Sequence, residues 1–320
     1  MITLLNTNLD HRMIALIGIL FTYAATFILL KFGTGILPRD GGRDFAHDGK
    51  LSQGKPRGAG FLFILVFAIS TLLFLPISNE ELIYVIMILA AMLTGFLDDC
   101  SKNPWGELKK GLLDMAIAVT TAITYVNFNS STFDVPFVSS PVTIHPVLFV
   151  ILATILIFVS INVTNCSDGV DGLSGTLSVI TLLTIYGLGR IMGMDPGDTY
   201  MLLIMVSCIM SYLWFNATPS LMMMGDAGSR ALGFFIAVAA LKTGSPLLYI
   251  PAAFMLILDG GLGLIKVSLI RFLKVRILKN TLTPIHDHVR KNLGWSNTQV
   301  VFKFAIIQIL ISFTLIWILT

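Results

Sequence analysis

The sequence predicts an all-α polytopic membrane protein, and two observations carry that prediction. Of 320 residues, 55% are hydrophobic and only 12% charged, against roughly 45–50% and about 25% in soluble domains. Measured by the roughly 20 apolar residues a spanning helix needs, the chain then divides into about ten runs, near 12–32, 58–77, 82–98, 111–128, 146–164, 173–192, 200–216, 231–243, 247–270 and 300–319. No hydrophilic loop is long enough to fold alone, so residues 1–320 are expected to form one integral membrane domain. Three cysteines, Cys100, Cys166 and Cys208, none in a CxxC pair, exclude a disulfide framework and a zinc or iron–sulfur signature. The net charge of +3 is small and calls for no nucleic-acid partner.

The first run lacks a small-residue cleavage site, so it is expected to remain as a helix. The third ends in Thr94-Gly95-Phe96-Leu97-Asp98-Asp99. Neighbouring residues on a helix point about 100° apart, so one carboxylate can bind a metal while the other orients or deprotonates a substrate; the plain alternative is a solvated membrane-edge cap. Asp114 stands one turn into the fourth run, and the connection 129–146, rich in Ser and Thr, reads as a short external β-hairpin.

The fifth run enters Asn162-Val163-Thr164-Asn165-Cys166-Ser167-Asp168-Gly169-Val170-Asp171-Gly172. Its glycines let backbone approach a ligand, its Asn and Asp side chains suit a nucleobase, sugar or metal, and the following helix start favours an anion. An Asx-Gly turn explains less, because two asparagines stand one helical turn apart. Met224-Gly225-Asp226-Ala227-Gly228-Ser229 adds Asp226, either a third carboxylate for one metal site or an N-cap. The Met222 to Met224 run reads as packing. Asp259 lies inside the ninth run and should face the bundle or a polar cavity, with Gly260, Gly261 and Gly263 allowing a bend or close packing. In Pro284-Ile285-His286-Asp287-His288-Val289-Arg290-Lys291, two histidines without cysteine argue against zinc; beside Arg290 and Lys291 they read as phosphate-binding groups. Carboxylates and cations together suggest a diphosphate held through Mg²⁺.

Lys and Arg set the orientation. Lys31, Arg39, Arg43, Lys50, Lys55, Arg57, the three lysines of 102–110, Arg230 and the basic residues of 266–303 make 18 of the 21 and fall on one face; only Arg12, Arg190 and Lys242 fall on the other. The positive-inside rule puts the motif-bearing loops in the cytoplasm and both termini outside.

These motifs, together with Asp40-Gly41, Gly54-Lys55-Pro56-Arg57-Gly58-Ala59-Gly60 and Lys110-Gly111-Leu112, make the chain resemble the polyprenyl-phosphate N-acetylhexosamine-1-phosphate transferases, above all their MurNAc-pentapeptide branch. The resemblance implies transfer of phospho-MurNAc-pentapeptide from UDP-MurNAc-pentapeptide to undecaprenyl phosphate, giving lipid I and UMP for peptidoglycan, with Mg²⁺ as cofactor, in the bacterial plasma membrane, and a homodimer. It implies that Asp98, Asp99, Asp226, His286 and His288 are catalytic. Asp226 and Asp99 would hold the metal. Lys110, Asn162, Asn165, Asp168, Gly169, Asp171, Met223 and Arg290 would bind substrate. Asp287 replaces the middle residue of the family's triple histidine; Lys55, Arg57 and Ala59 interrupt its Thr-Pro-Thr-Met-Gly-Gly pattern; and Ile117 stands where a lysine is expected. The GlcNAc-1-phosphate branch is the alternative. An ion-coupled carrier, suggested by Asp114 and Asp259, is the rival of another class, against which the acidic motifs gather at membrane edges.

Overall fold

A computed structural model of the chain describes residues 10–42, 52–136, 138 and 140–320; Arg43 and Lys50, assigned above to the inner face, lie outside the described residues. Helices dominate: α1 (His11–Phe32), α2 (Ala59–Phe74), α3 (Asn79–Asp99), α4 (Glu107–Phe128), α5 (Pro146–Cys166), α6 (Leu173–Met192), α7 (Pro196–Asn216) and α8 (Gly225–Lys242). A bent pair follows, α9 (Pro246–Ala252) and α10 (Phe254–Arg271), then α11 (Ile285–Leu293) and α12 (Asn297–Leu319). Between α4 and α5, β1 (Thr132–Phe133) pairs antiparallel with β2 (Val142–Thr143), the hairpin expected there.

Local signals set the ends. Ser78 and Glu81 form a capping box that starts α3. Asp195 caps α7 and Pro196 fills its first position, so α7 begins before the expected residue 200. Among the described residues, seven helices are long and apolar enough to cross a membrane, or eight if the bent pair counts as one span; α2 is shorter. The protein is thus an all-α, multi-pass membrane protein. α8 falls outside that set because it carries Asp226, Arg230 and Lys242, and every residue from Gly225 to Leu241 is buried.

α8 is the axis of the bundle, packed against α2, α3, α5 and α6. In lipid no hydrophobic force drives helices together, so close contact of small residues must. A Cβ at Gly60 of α2 would lie 2.0 Å from Gly228 N, one at Gly95 of α3 would lie 2.3 Å from Asp226 O, and one at Gly233 would lie 2.4 Å from Ser160 O of α5. At the far end of α8, Lys242 Nζ lies 3.0 Å from Glu80 Oε2 and 3.2 Å from Asp198 Oδ2. Tyr84 Oη and Asn129 Nδ2 both donate to Glu80 Oε1 at 2.6 Å. Helices α3, α4, α7 and α8 are tied there.

Two expectations change. Arg230, counted on the cytoplasmic face, is 2% exposed inside the bundle; it sits one turn into the enclosed α8 and ion-pairs with Asp114. The single run 247–270 is broken by 70° at Ala253, ahead of its glycines. The buried Gln308 of α12 inserts there: its Nε2 donates to Pro251 O (3.1 Å) and Ala252 O (3.0 Å), and its Oε1 accepts from Met255 N (2.8 Å). A side chain supplying the broken ladder is a known cause of kinks. Gly260 serves close packing instead, since a Cβ there would lie 2.2 Å from Val163 O.

The glycine contacts predict a contrast. Gly95→Ala must force α3 from α8 and should destabilise by about 1–3 kcal/mol. Gly111→Ala, where a Cβ meets nothing within 4 Å, should be neutral or stabilising by up to about 1 kcal/mol. Thermal unfolding in detergent compares the two, and equal effects would remove the packing argument.

Candidate active site

Asp98 and Asp99 end α3, and the helical turn between them sends their carboxylates to different partners. Asp98 Oδ1 accepts the Trp105 N–H at 2.7 Å, and its Oδ2 lies 2.5 Å from Lys110 Nζ. Asp99 accepts the N–H groups of Asp226 (3.2 Å) and Ala227 (3.1 Å). A carboxylate from α3 therefore caps α8, whose free N–H groups and dipole favour an anion. Gly225 permits the approach: its φ is +68°, and a Cβ would lie 2.3 Å from Asp99 Oδ2.

With that cap supplied from α3, Asp226 is free to face sideways. Its Oδ2 lies 3.2 Å from Lys110 Nζ and its Oδ1 3.7 Å from Arg57 Nη2. Asn165 donates to Ser229 Oγ at 2.9 Å, one turn along α8 from Asp226. Arg57 lies 2.8 Å from Asp99 through Nε and 3.7 Å from Asp40 through Nη1. Burial opposes its charge, but Asp99, Asp226 and Asp40 outweigh that and raise its pKa, so it stays cationic. Arg57 pairs backbone-to-backbone with Met223, where Met223 N donates to Pro56 O (2.9 Å) and Ala59 N to Met223 O (3.0 Å). Met222 and Met224 are packing residues, 3% and 0% exposed.

The loop between α5 and α6 closes one side. Gly172 N donates to Asn216 Oδ1 at 2.8 Å and Ser220 N to Asp171 Oδ2 at 3.1 Å, which fastens the loop to the α7–α8 connection. Asp168 is half-buried beside the exposed Gly169, within electrostatic range of Arg57. Asn162 instead donates to Phe158 O of its own helix, at 2.8 Å.

Asp259 lies in a π-turn, Ile257–Gly261, a local widening common at functional sites. Its Oδ1 accepts His286 N at 2.7 Å, and its Oδ2 is 2.8 Å from His286 Nδ1. A carboxylate at Nδ1 fixes the ring and leaves Nε2 for chemistry. That Nε2 faces Gly169, where a Cβ would lie 2.3 Å away. His288 and Arg290 have other partners: His288 Nδ1 accepts Leu282 N at 3.2 Å, and Arg290 donates to Asp287 Oδ1 (2.7 Å) and Asn297 Oδ1 (3.0 Å). Arg290 thus joins α11 to the start of α12.

Oxygen donors dominate the cluster, and cations already bridge them: Lys110 stands between Asp98 and Asp226, Arg57 between Asp99 and Asp226. Among the described residues no three His, Cys, Asp or Glu form a closed metal site. Mg²⁺ needs only one or two carboxylates when phosphate oxygens complete its shell, so the donor set fits Mg²⁺ shared with a phosphate ligand. Zinc does not fit.

The Asp259–His286 contact generates one prediction. Asp259→Asn keeps an oxygen near the ring but removes the charge that fixes it, and should cut catalysis about 10²-fold or more. Gly169→Ala should push the ring aside with a comparable loss. Unchanged kcat in both variants, with normal folding, would exclude His286 from the chemistry.

The chain is also similar to known proteins. Residues 82–244 match glycosyl transferase family 4. A phospho-N-acetylmuramoyl-pentapeptide-transferase of Treponema pallidum (strain Nichols) is 40% identical over 94% of this chain and 87% of its own length. Proteins of that name from Clostridium acetobutylicum and Helicobacter acinonychis are 30% and 26% identical, over 88% and 80% of this chain and 88% and 78% of theirs. The chain therefore belongs to glycosyl transferase family 4 and, within it, to the phospho-N-acetylmuramoyl-pentapeptide transferases.

Proposed function

We propose that the protein transfers phospho-MurNAc-pentapeptide from UDP-MurNAc-pentapeptide to undecaprenyl phosphate, giving lipid I and UMP for peptidoglycan synthesis in the bacterial inner membrane. The observation that carries the reading is the cluster of Asp98, Asp99 and Asp226 threaded by Lys110 and Arg57 at one end of the bundle. Joining two phosphate-bearing substrates crowds negative charge, and preorganised cations lower that barrier. An acceptor phosphate oxygen attacks the β-phosphorus of the donor; the anhydride bond to UMP breaks and a new one forms to the lipid phosphate. Lys110 and Arg57 supply positive charge to the phosphates. Asp98, a carboxylate ion-paired with Lys110, would take a proton from the acceptor, while Asp99 caps α8. Asn165, Asp168 and Gly169 line the donor side, and His286 Nε2 faces that loop. Asp226 would hold Mg²⁺, with Asp99 behind it; the ion would offset charge on the diphosphate.

We further propose that α2, α8 and the bent pair all count as spans, which gives ten, places both termini outside and opens the site to the cytoplasm. The basic residues support this orientation. Asp114 and Asp259, the two carboxylates that suggested a carrier, have partners in Arg230 and His286, so neither is left unpaired to support one.

Three measurements test the reading. Purified protein with undecaprenyl phosphate should release UMP from UDP-MurNAc-pentapeptide; release from UDP-GlcNAc instead would select the GlcNAc-1-phosphate branch, and release from neither would sink the transferase. Asp226→Asn should lower turnover by about 10²–10⁴-fold without loss of stability; wild-type Mg²⁺ dependence in that variant would remove Asp226 as the ligand. Cysteines placed at 280–283 should react with an impermeant reagent only from the cytoplasmic side, and labelling from outside would overturn the orientation.

A further inference from the structure

Two ion pairs connect α4 and α8, and their signs alternate. Lys110 of α4 meets Asp226 of α8 at 3.2 Å. One helical turn deeper, Asp114 meets Arg230, through Nε at 3.2 Å and through Nη2. On each helix the two charges are opposite in sign and four residues apart, the spacing at which side chains share a face. The outer rung belongs to the candidate active site. The inner rung touches no proposed ligand, and its side chains are only 3% and 2% exposed.

Each inner charge shares its helix face with an outer charge of opposite sign. Lys110 attracts Asp114, and Asp226 repels it. Arg230 stands one turn beyond Asp226 on the same helix, and its Nη1 has no hydrogen-bond partner among the described residues. Were Asp114 neutral, Arg230 would be a buried cation with Asp226 as its nearest anion. Were Arg230 neutral, Asp114 would be a buried anion with Lys110 as its nearest cation. Either change pulls one member of the outer rung away from Asp98 and from the space between the carboxylates.

We propose that Asp114 and Arg230 are positioning residues: by cancelling each other inside the bundle they keep Lys110 and Asp226 directed at the phosphates. Their importance for turnover rests on the proposed function, whereas their hold on Lys110 does not.

The test reads the two separately. Acylation of the Lys110 amine, whose side chain is 24% exposed, is followed by mass spectrometry on protein in detergent, without substrate. Asp114→Asn frees Arg230 to take Asp226, so Lys110 should label faster, by about threefold or more; Arg230→Met lets Asp114 draw Lys110 inward, so labelling should slow by a similar factor. The paired variant, Asp114→Asn with Arg230→Met, should return within about twofold of wild type. UMP release should fall about tenfold or more in each single variant, mainly in kcat, and recover largely in the pair. A merely structural weld gives another pattern: both single variants label faster, and the paired variant is at least as slow in turnover as either. That result, or single variants indistinguishable from wild type, overturns the proposal. Should a single variant fail to fold, the paired variant decides, because it buries no unpaired charge and must retain turnover. If labelling splits as expected but wild type releases no UMP, the proposed function fails and the positioning pair stands.

Discussion

The end of the bundle that carries the candidate site depends on one interaction, the Asp99 carboxylate seated on the N-terminus of α8. α8 is buried from Gly225 to Leu241, so its first free N–H groups need acceptors from the protein, and unpaired backbone donors in such a place are costly. Asp99 supplies the acceptor from α3. That single contact fixes the axial position of α8 against α3, frees the Asp226 side chain from capping, and draws Arg57 to the same carboxylate. The glycines at 60, 95 and 225 are the steric condition for it, since each lets backbone come closer than any side chain would allow.

Charge balance is the second constraint. Asp40, Asp98, Asp99 and Asp226 converge where protein has excluded much of the water, and desolvated carboxylates persist as anions only when paired. Arg57 reaches three of them and Lys110 two. A site balanced in this way can accept phosphate by rearranging cations already present, so the groups that stabilise the empty fold are the same ones that can receive the substrate. Arg57 sits at the centre of the cluster.

Asp287 has a local structural consequence of its own. In the middle of the histidine motif it takes Arg290 as a partner, and Arg290 then reaches Asn297. The motif divides accordingly. His286 is turned inward by Asp259, whereas His288 stays beside Leu282 and Asn292.

The sequence by itself determined the membrane class, the helical runs, the hairpin and the list of chemical groups, because apolar length, turn residues and motif spacing are local properties. Asp98, Asp99, Lys110, Asn165 and Asp226 were legible for that reason, each standing at the end of an apolar run. The partners of those groups were decided only by tertiary structure. Arg57 read as an interruption until folding placed it between three carboxylates, Asp259 read equally as structural or catalytic until it met His286, and Arg230 read as a cytoplasmic charge until α8 carried it inside. Gln308, which fills the break of the ninth span at Ala253, gave no local sign at all. Electrostatic pairing and helix breakage of this kind act between residues far apart in the chain, and a periodicity or motif does not record which distant side chain will fill a polar vacancy.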